Sequence, residues 1–403
     1  MLDRMQRSVG LLTVAAILAT ACGAGSPSAT GAGPATARVG AGASAAPQQR
    51  ATPSRRATSP AAPQRARTAV PSRATAAAPQ RASAAASRVR TIATGLHVPW
   101  GIAFLPDGDA LVAERTTGAI LRIPAHGGRP RLAMRVPGVD VDAGEGGLLG
   151  LAVSPHYASD KLVYAYFTTR SDNRIARFKL GGPLRPILTG LKRGLVHDGG
   201  RIAFGPDGKL YAGVGDTGDT AYAQDRSVLN GKILRLNPDG GAPKGNPFGT
   251  LVWSYGHRNV QGLAWDRAGR LWATEFGQDT WDEVNLIEPG HDYGWPIVEG
   301  KGPTDGGRFT NPLVTWRTAA ASPSGAAIVG STLYVGALQG QCVWRIPLHG
   351  ARVGTPTRML DQRYGRIRTV VAAPDGTLWI ATSNSDGRGQ PHKGDDRIVA
   401  VRV

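Results

Sequence analysis

From residue 91 onward, apolar and polar positions alternate in short runs that return to one phrase: an apolar strand, a tight turn rich in Pro, Asp and Gly, and a second apolar strand. IAFLPDGDALVAE (102–114), LAVSPHYASDKLVYAYF (151–167), IAFGPDGKLYAGVGD (202–216) and VAAPDGTLWIAT (371–382) carry it clearly, and LAWDRAGRLWATEFG (263–277) and AAIVGSTLYVGAL (326–338) more weakly. Alternation of this kind predicts strands, and Asp-Gly turns with Pro before them predict hairpins, because Pro presets the first central φ angle. The turn centres Pro106, Pro155, Pro206, Gly269, Gly330 and Pro374 mark six units in 313 residues, about 52 residues each. No amphipathic helical stretch of useful length interrupts them. Such a period in an all-β chain predicts a six-bladed β-propeller over 91–403, whose radial blades cover one another's sheet edges. An irregular pair of β-sandwiches would have no need of one turn phrase six times.

Composition sets this region apart from what precedes it. All 25 Phe, Trp and Tyr residues lie from Trp100 onward, so a hydrophobic core can be built only there. Residues 23–90 are almost all Ala, Pro, Ser, Thr, Gly and Arg, with ten Arg and no acidic residue. A segment so poor in apolar area cannot offset its ordering entropy, which predicts a disordered linker. Residues 1–22 have a basic start, an apolar run from Val9 to Ala19 and small residues before Cys22. This resembles a lipoprotein-type signal peptide, implying export and a membrane anchor on an acylated Cys22; simple secretion and an uncleaved anchor are the alternatives.

The formal charge of +18 includes ten positive charges from 23–90 and one from the first 22 residues, leaving +7 on 91–403. The folded part is only mildly basic, which excludes nucleic-acid binding argued from bulk charge. With Cys22 set aside, Cys342 is the one remaining cysteine, so an intramolecular disulfide and a cysteine metal site are excluded there and Cys342 reads as a small buried hydrophobe.

Three stretches depart from the hairpin pattern and carry reactive side chains. In LVHDGGRIAFGPDG, His197 precedes a strand, and Asp216 ends the same hairpin nineteen residues later. One hairpin returns both positions to one end of a blade, where they are either incidental neighbours or a proton acceptor oriented by a carboxylate. WSYGHRNVQGLAWD sets Arg258 between His257 and Asn259, suiting a guanidinium that binds a carboxylate. In YGRIRTVVAAPDG, Arg366 and Arg368 alternate and so share a face, an unfavourable pairing unless an anion lies between them. An acidic run from 273 to 300, with Glu275, Asp279, Asp282, Glu283 and Asp292 among Gly and aromatic residues, leaves calcium open. Zinc is disfavoured by the scattered His.

Read together, GEGGLLGLAVSP (144–155), HDGGRIAFGPDGKLYAGVGD (197–216), SYGHRNVQGLAWD (254–266), EFGQDTWDEVNLI (275–287), HDYGWPIVEG (291–300), PSGAAI (323–328) and GRIRTVVAAPDGTLW (365–379) resemble the soluble quinoprotein sugar dehydrogenases. These are six-bladed propellers that bind pyrroloquinoline quinone (PQQ) and oxidise aldoses. The resemblance implies His197 as general base, Asp216 as its orienting partner, and Arg258 with Asn259 against the quinone. It also implies Arg366 and Arg368 as clamps on the cofactor carboxylates. A calcium ion would be held by the backbone carbonyls of Gly277 and Gln278, and a second, structural calcium by Glu283 and the Tyr293 carbonyl.

Two positions depart from the family pattern. Gln339 stands where glucose-oxidising members carry a Lys that contacts the cofactor, and Glu145 where a substrate-side Gln is common. The implied function is oxidation of a small-molecule sugar to its lactone by a monomer, with an unidentified electron acceptor. The rivals are a non-catalytic propeller binding a protein or glycan, and a calcium-dependent lactonase.

Overall fold

The computed structural model describes residues 89–403. The expected signal peptide, Cys22 and the linker, except its last two residues, lie outside the described residues. The alternating segments form six antiparallel sheets arranged as propeller blades: 99–135, 148–191, 202–255, 260–317, 323–359, and 367–402 completed by 89–94. Strands follow chain order within each of the first five blades. In the sixth, the outermost strand is Val89–Thr94 from the other end of the domain, paired with Arg397–Arg402 through Val89 to Val401 and Ala93 to Ile398. This closes the ring. The first described strand starts at Val89, and Cys342 is fully buried.

The core lies in the sectors between blades, because both faces of each central strand are covered. Tyr164 and Tyr166 of the second blade pack with Leu210, Val214 and Leu234 of the third. Ile102 and Ile123 of the first pack with Trp379, Ile398 and Ile92 of the sixth. At about 25 cal/mol per Å² of apolar area, these sectors supply the main folding force, since the described residues hold almost no helix.

The first strand of every blade faces the axis. There, Ile102, Leu151, Ile202, Leu263, Ala326 and Val370 help line a cavity of about 420 Å³. Neighbouring first strands approach so closely that a Cβ on Gly101 would lie 2.5 Å from the Leu149 carbonyl oxygen, and one on Gly150 would lie 2.2 Å from that of Gly200. Five of these six strands also carry a register shift against their partner, within 99–102, 148–151, 260–262, 323–326 and 367–369. A bulge breaks the two-residue alternation and re-aims side chains. Gln261, Ser324 and Arg368 occupy such positions, and they form the floor of the site.

Candidate active site

His197 begins the descent into the third blade with a left-handed backbone, φ +57°. A non-glycine residue rarely adopts this conformation without help from its surroundings. The Glu145 carboxylate accepts the His197 N–H at 2.9 Å. The ring Nδ1 lies 2.7 Å from Asp216 Oδ1. Asp216 is fully buried; its Oδ2 accepts Trp295 Nε1–H at 2.8 Å and its Oδ1 accepts the Gly218 N–H at 2.9 Å. Burial opposes its ionisation, but the hydrogen bonds from His197, Gly218 and Trp295 outweigh that cost and hold the carboxyl below its usual range. An ionised Asp216 accepts a hydrogen bond from Nδ1–H, which leaves Nε2 as the basic nitrogen.

Arg258 leads into the first strand of the fourth blade. Its guanidinium donates to Gln278 Oε1 at 3.0 and 2.8 Å and to the Phe276 carbonyl at 3.3 Å, with the Trp295 ring 5.5 Å away. Glu275 anchors the segment: its carboxylate accepts the Arg258 amide and, at 2.8 Å, meets His257 Nδ1, whose ring stacks on Tyr293. His257 is therefore committed to structure. Asn259 is buried, accepts the Gly199 N–H at 3.2 Å, and leaves Nδ2 without a partner.

Arg366 and Arg368 do converge, and the anion between them belongs to the chain. Asp386 Oδ2 lies 3.1 Å from Arg366 Nη2 and 3.4 Å from Arg368 Nη2. Arg368 also donates to Gln261 Oε1 at 2.8 Å, which in turn accepts Ser324 O–H at 2.9 Å. Below them Arg201, buried over the Trp100 ring at 4.0 Å, donates to the Gln261 carbonyl at 2.7 Å. Burial pushes Arg368 down to about 10 and Arg201 to about 9.

Above this floor opens a cavity of about 360 Å³ lined by Arg115, Glu145, Gln339, Arg366, Arg368 and Asp386, among others. His197 and Arg258 do not line it. They border it through residues that do: His197 through Glu145, and Arg258 through Phe276. Glu145 is held by the His197 amide on one side and by Arg388 Nη1 at 2.6 Å on the other. A polar cleft of about 540 Å³ adjoins this cavity, sharing Gln339, Arg366 and Arg388.

The expected metal ligands lie on the fourth blade, Gln278 in direct contact with Arg258. The amides of Gly277 and Gln278 donate to Asp282 (3.0 Å) and Glu299 (2.7 Å), and neither carbonyl accepts a hydrogen bond from the described residues. Glu299 Oε1 also accepts the next three amides, through Trp281. Glu283 is tied to Asn285 Nδ2 at 2.9 Å and the Gly300 N–H at 2.7 Å; burial, with Glu275 adding to it, pushes its carboxyl to about 8. Tyr293 directs its hydroxyl to the Leu286 carbonyl at 2.7 Å. Among the described residues no three or more His, Cys, Asp or Glu side chains gather as a metal-binding set.

Sequence reasoning missed Arg115, Asp386, Trp295 and Glu299. SNSDGRG (383–389) offered the one available signal, an acidic residue in a Gly-containing turn at the end of the last hairpin. Nothing local marked Arg115, which ends a regular strand.

A closed propeller with an oriented imidazole beside an arginine-lined cavity has the architecture of the propeller dehydrogenases. The chain belongs to the Glucose / Sorbosone dehydrogenase family, whose model matches residues 96–390. It is similar to the PQQ-bound aldose sugar dehydrogenase of Streptomyces coelicolor, with 52% identity, a TM-score of 0.75, and coverage of 78% of this chain and 97% of that one. A putative oxidoreductase (glucose dehydrogenase) of Thermus thermophilus is 42% identical, with a TM-score of 0.73 over 78% and 99% of the two chains. The aldose sugar dehydrogenase YliI of Escherichia coli is 31% identical over 74% of this chain and 91% of its own length.

Proposed function

We propose that this protein oxidises aldose sugars to lactones with PQQ and calcium, using His197 as general base. The observation that carries this reading is the His197–Asp216 pair at 2.7 Å beside a cavity walled by guanidinium groups. Buried guanidinium nitrogens without partners, Arg368 Nε and Arg115 Nε, fit a polyanionic ligand. Arg366 and Arg368 would hold the cofactor carboxylates, with Arg258 and Asn259 at its quinone edge. When bound, PQQ supplies the two-electron acceptor for the hydride leaving the anomeric carbon.

His197 Nε2 takes the proton of the anomeric hydroxyl as the carbonyl of the lactone forms, and Asp216 stabilises the resulting imidazolium. Glu145 fixes the backbone of the base and faces the sugar side. The Gly277 and Gln278 carbonyls would hold one calcium, since their amides are pinned elsewhere and their oxygens are untaken. Glu283 and the Tyr293 carbonyl would hold the second, beside the buried Asn285 Oδ1 that has no partner. The lactonase alternative asks for several side-chain oxygens ringing a metal on the axis, whereas the axial cavity is walled by apolar residues and Arg201.

The test is reconstitution of the purified protein with calcium and PQQ, following dye reduction with several aldoses. His197→Ala is expected to lower kcat by about 10²–10⁴-fold while the quinone still binds. Undiminished turnover in that variant removes the base assignment, and absence of any quinone-dependent spectral change favours a ligand-binding propeller instead. We further propose export and lipid anchoring through Cys22, with the protein acting as a monomer outside the cytoplasm. Cys22→Ser is expected to shift the protein from the membrane to the soluble fraction, and unchanged membrane association rules the lipid anchor out.

A further inference from the structure

Arg115 follows the second strand of the first blade (Ala110–Glu114), and its backbone is locked in place: the amide donates to the Val98 carbonyl at 3.1 Å, and the carbonyl accepts the Leu148 N–H at 3.2 Å. Its aliphatic stem crosses Gly147, where a Cβ would lie 2.9 Å from Arg115 Cγ. The residue is only 7% exposed and lines the cavity with Arg366, Arg368 and Arg388. Unlike those three, it makes no side-chain hydrogen bond or ion pair among the described residues, and its Nε is buried without a partner. Asp386 and Glu145, the carboxylates whose fields reach it, are already engaged by Arg366, Arg368 and Arg388. Burying a guanidinium with Nε unpartnered and no carboxylate of its own carries a cost, and a ligand carboxylate in the cavity would relieve it.

We propose that Arg115 is a further anion-binding residue of this cavity, donating to a carboxylate of the planar polycarboxylate cofactor in the space it shares with Gln339. The assignment rests on the quinone reading above. It also accounts for a family position filled by Gln339: a cationic contact absent there is supplied by a guanidinium elsewhere in the lining.

The experiment compares the full protein with Arg115→Met, which keeps the stem and removes the charge, and with Arg115→Lys. PQQ binding is followed by the spectral change of the quinone, and melting temperature is recorded with and without cofactor. Arg115→Met is expected to weaken PQQ binding at least tenfold while the cofactor-free melting temperature stays level or rises, because an unpaired buried charge has been removed. Arg115→Lys should recover part of the affinity. Affinity within twofold of the parent in Arg115→Met overturns the proposal, as does a fall in cofactor-free melting temperature large enough to explain the lost binding.

Should the parent protein bind no PQQ, the quinone reading falls separately. Citrate then serves as the probe: stabilisation by citrate that is lost in Arg115→Met upholds an anion contact at Arg115, and equal stabilisation of both proteins ends it.

Discussion

Asp198, next to the proposed base, shows how a single carboxyl can set a pH dependence. Its Oδ1 accepts Asn173 Nδ2–H at 2.7 Å and the Gly194 N–H at 3.1 Å, while the buried Oδ2 has no partner. Burial pushes this carboxyl up to about 6. In the unfolded chain it titrates near about 3.9, so between those values the native state keeps a proton that the unfolded state has released. Stability therefore falls as pH rises through that window, and the full penalty is present above it. Asp198→Asn is expected to flatten the slope and to be more stable at pH 7 by about 1–2 kcal/mol, since the amide carries no charge to desolvate. Urea unfolding from pH 4 to 7 checks this, and parallel curves for the two proteins would contradict it. Asp198 could be read in the sequence only as part of HDGG; its burial depends on the Asn173 strand of the preceding blade.

At the scale of elements, the dyad depends on a short helix that no sequence pattern announced. Ala221–Gln224 has only one turn, so its carbonyls need outside donors. Lys232, fully buried on the third strand of the same blade, donates to the carbonyls of Tyr222 (2.6 Å), Ala223 (3.1 Å) and Asn230 (2.8 Å). Gln224 then donates to the Trp295 carbonyl at 2.9 Å, and Trp295 holds Asp216. Lys232→Met is expected to cost about 2–4 kcal/mol by leaving these carbonyls unpaired, which urea unfolding measures. A loss below about 0.5 kcal/mol, the range of ordinary surface changes, would mean that water replaces the ammonium. The hairpins themselves were legible because strand alternation and turn chemistry are local. The bulges at Gln261, Ser324 and Arg368 were not, because they arise from the close passage of neighbouring blades. The pairing of Arg366 with Arg368 was reached from alternation, yet what makes it stable is Asp386, from the turn after the next strand.

For the molecule as a whole, stability turns on the joint where the ring closes. Ile92 is 2% exposed in a strand that completes the sixth blade from the opposite end of the domain. Ile92→Ala is expected to cost about 2–4 kcal/mol, a fall of roughly 2–4 °C in Tm for each kcal/mol. Leu132→Ala, at a site 57% exposed on an outer strand, should stay within about 0.5 kcal/mol. Calorimetry on both variants tests the joint, and equal melting temperatures would show that closure adds nothing.

The sequence by itself determined the six repeats, the all-β class, the confinement of the aromatic core residues to the part of the chain from Trp100 onward, and the sharing of one face by Arg366 and Arg368. Each of these is written in neighbouring residues, as a hydrophobic period, a turn tripeptide or a motif. Only the tertiary structure decided that Val89–Thr94 closes the last blade, that Asp386 neutralises Arg366 and Arg368, that His257 is bound to Glu275, and that Arg115 meets the cavity unpaired. Those contacts join residues on different strands and loops, from 18 positions apart for His257 and Glu275 to opposite ends of the domain for Val89 and Val401. They depend on which loops and strand ends the folded sheets bring together, which no local pattern encodes.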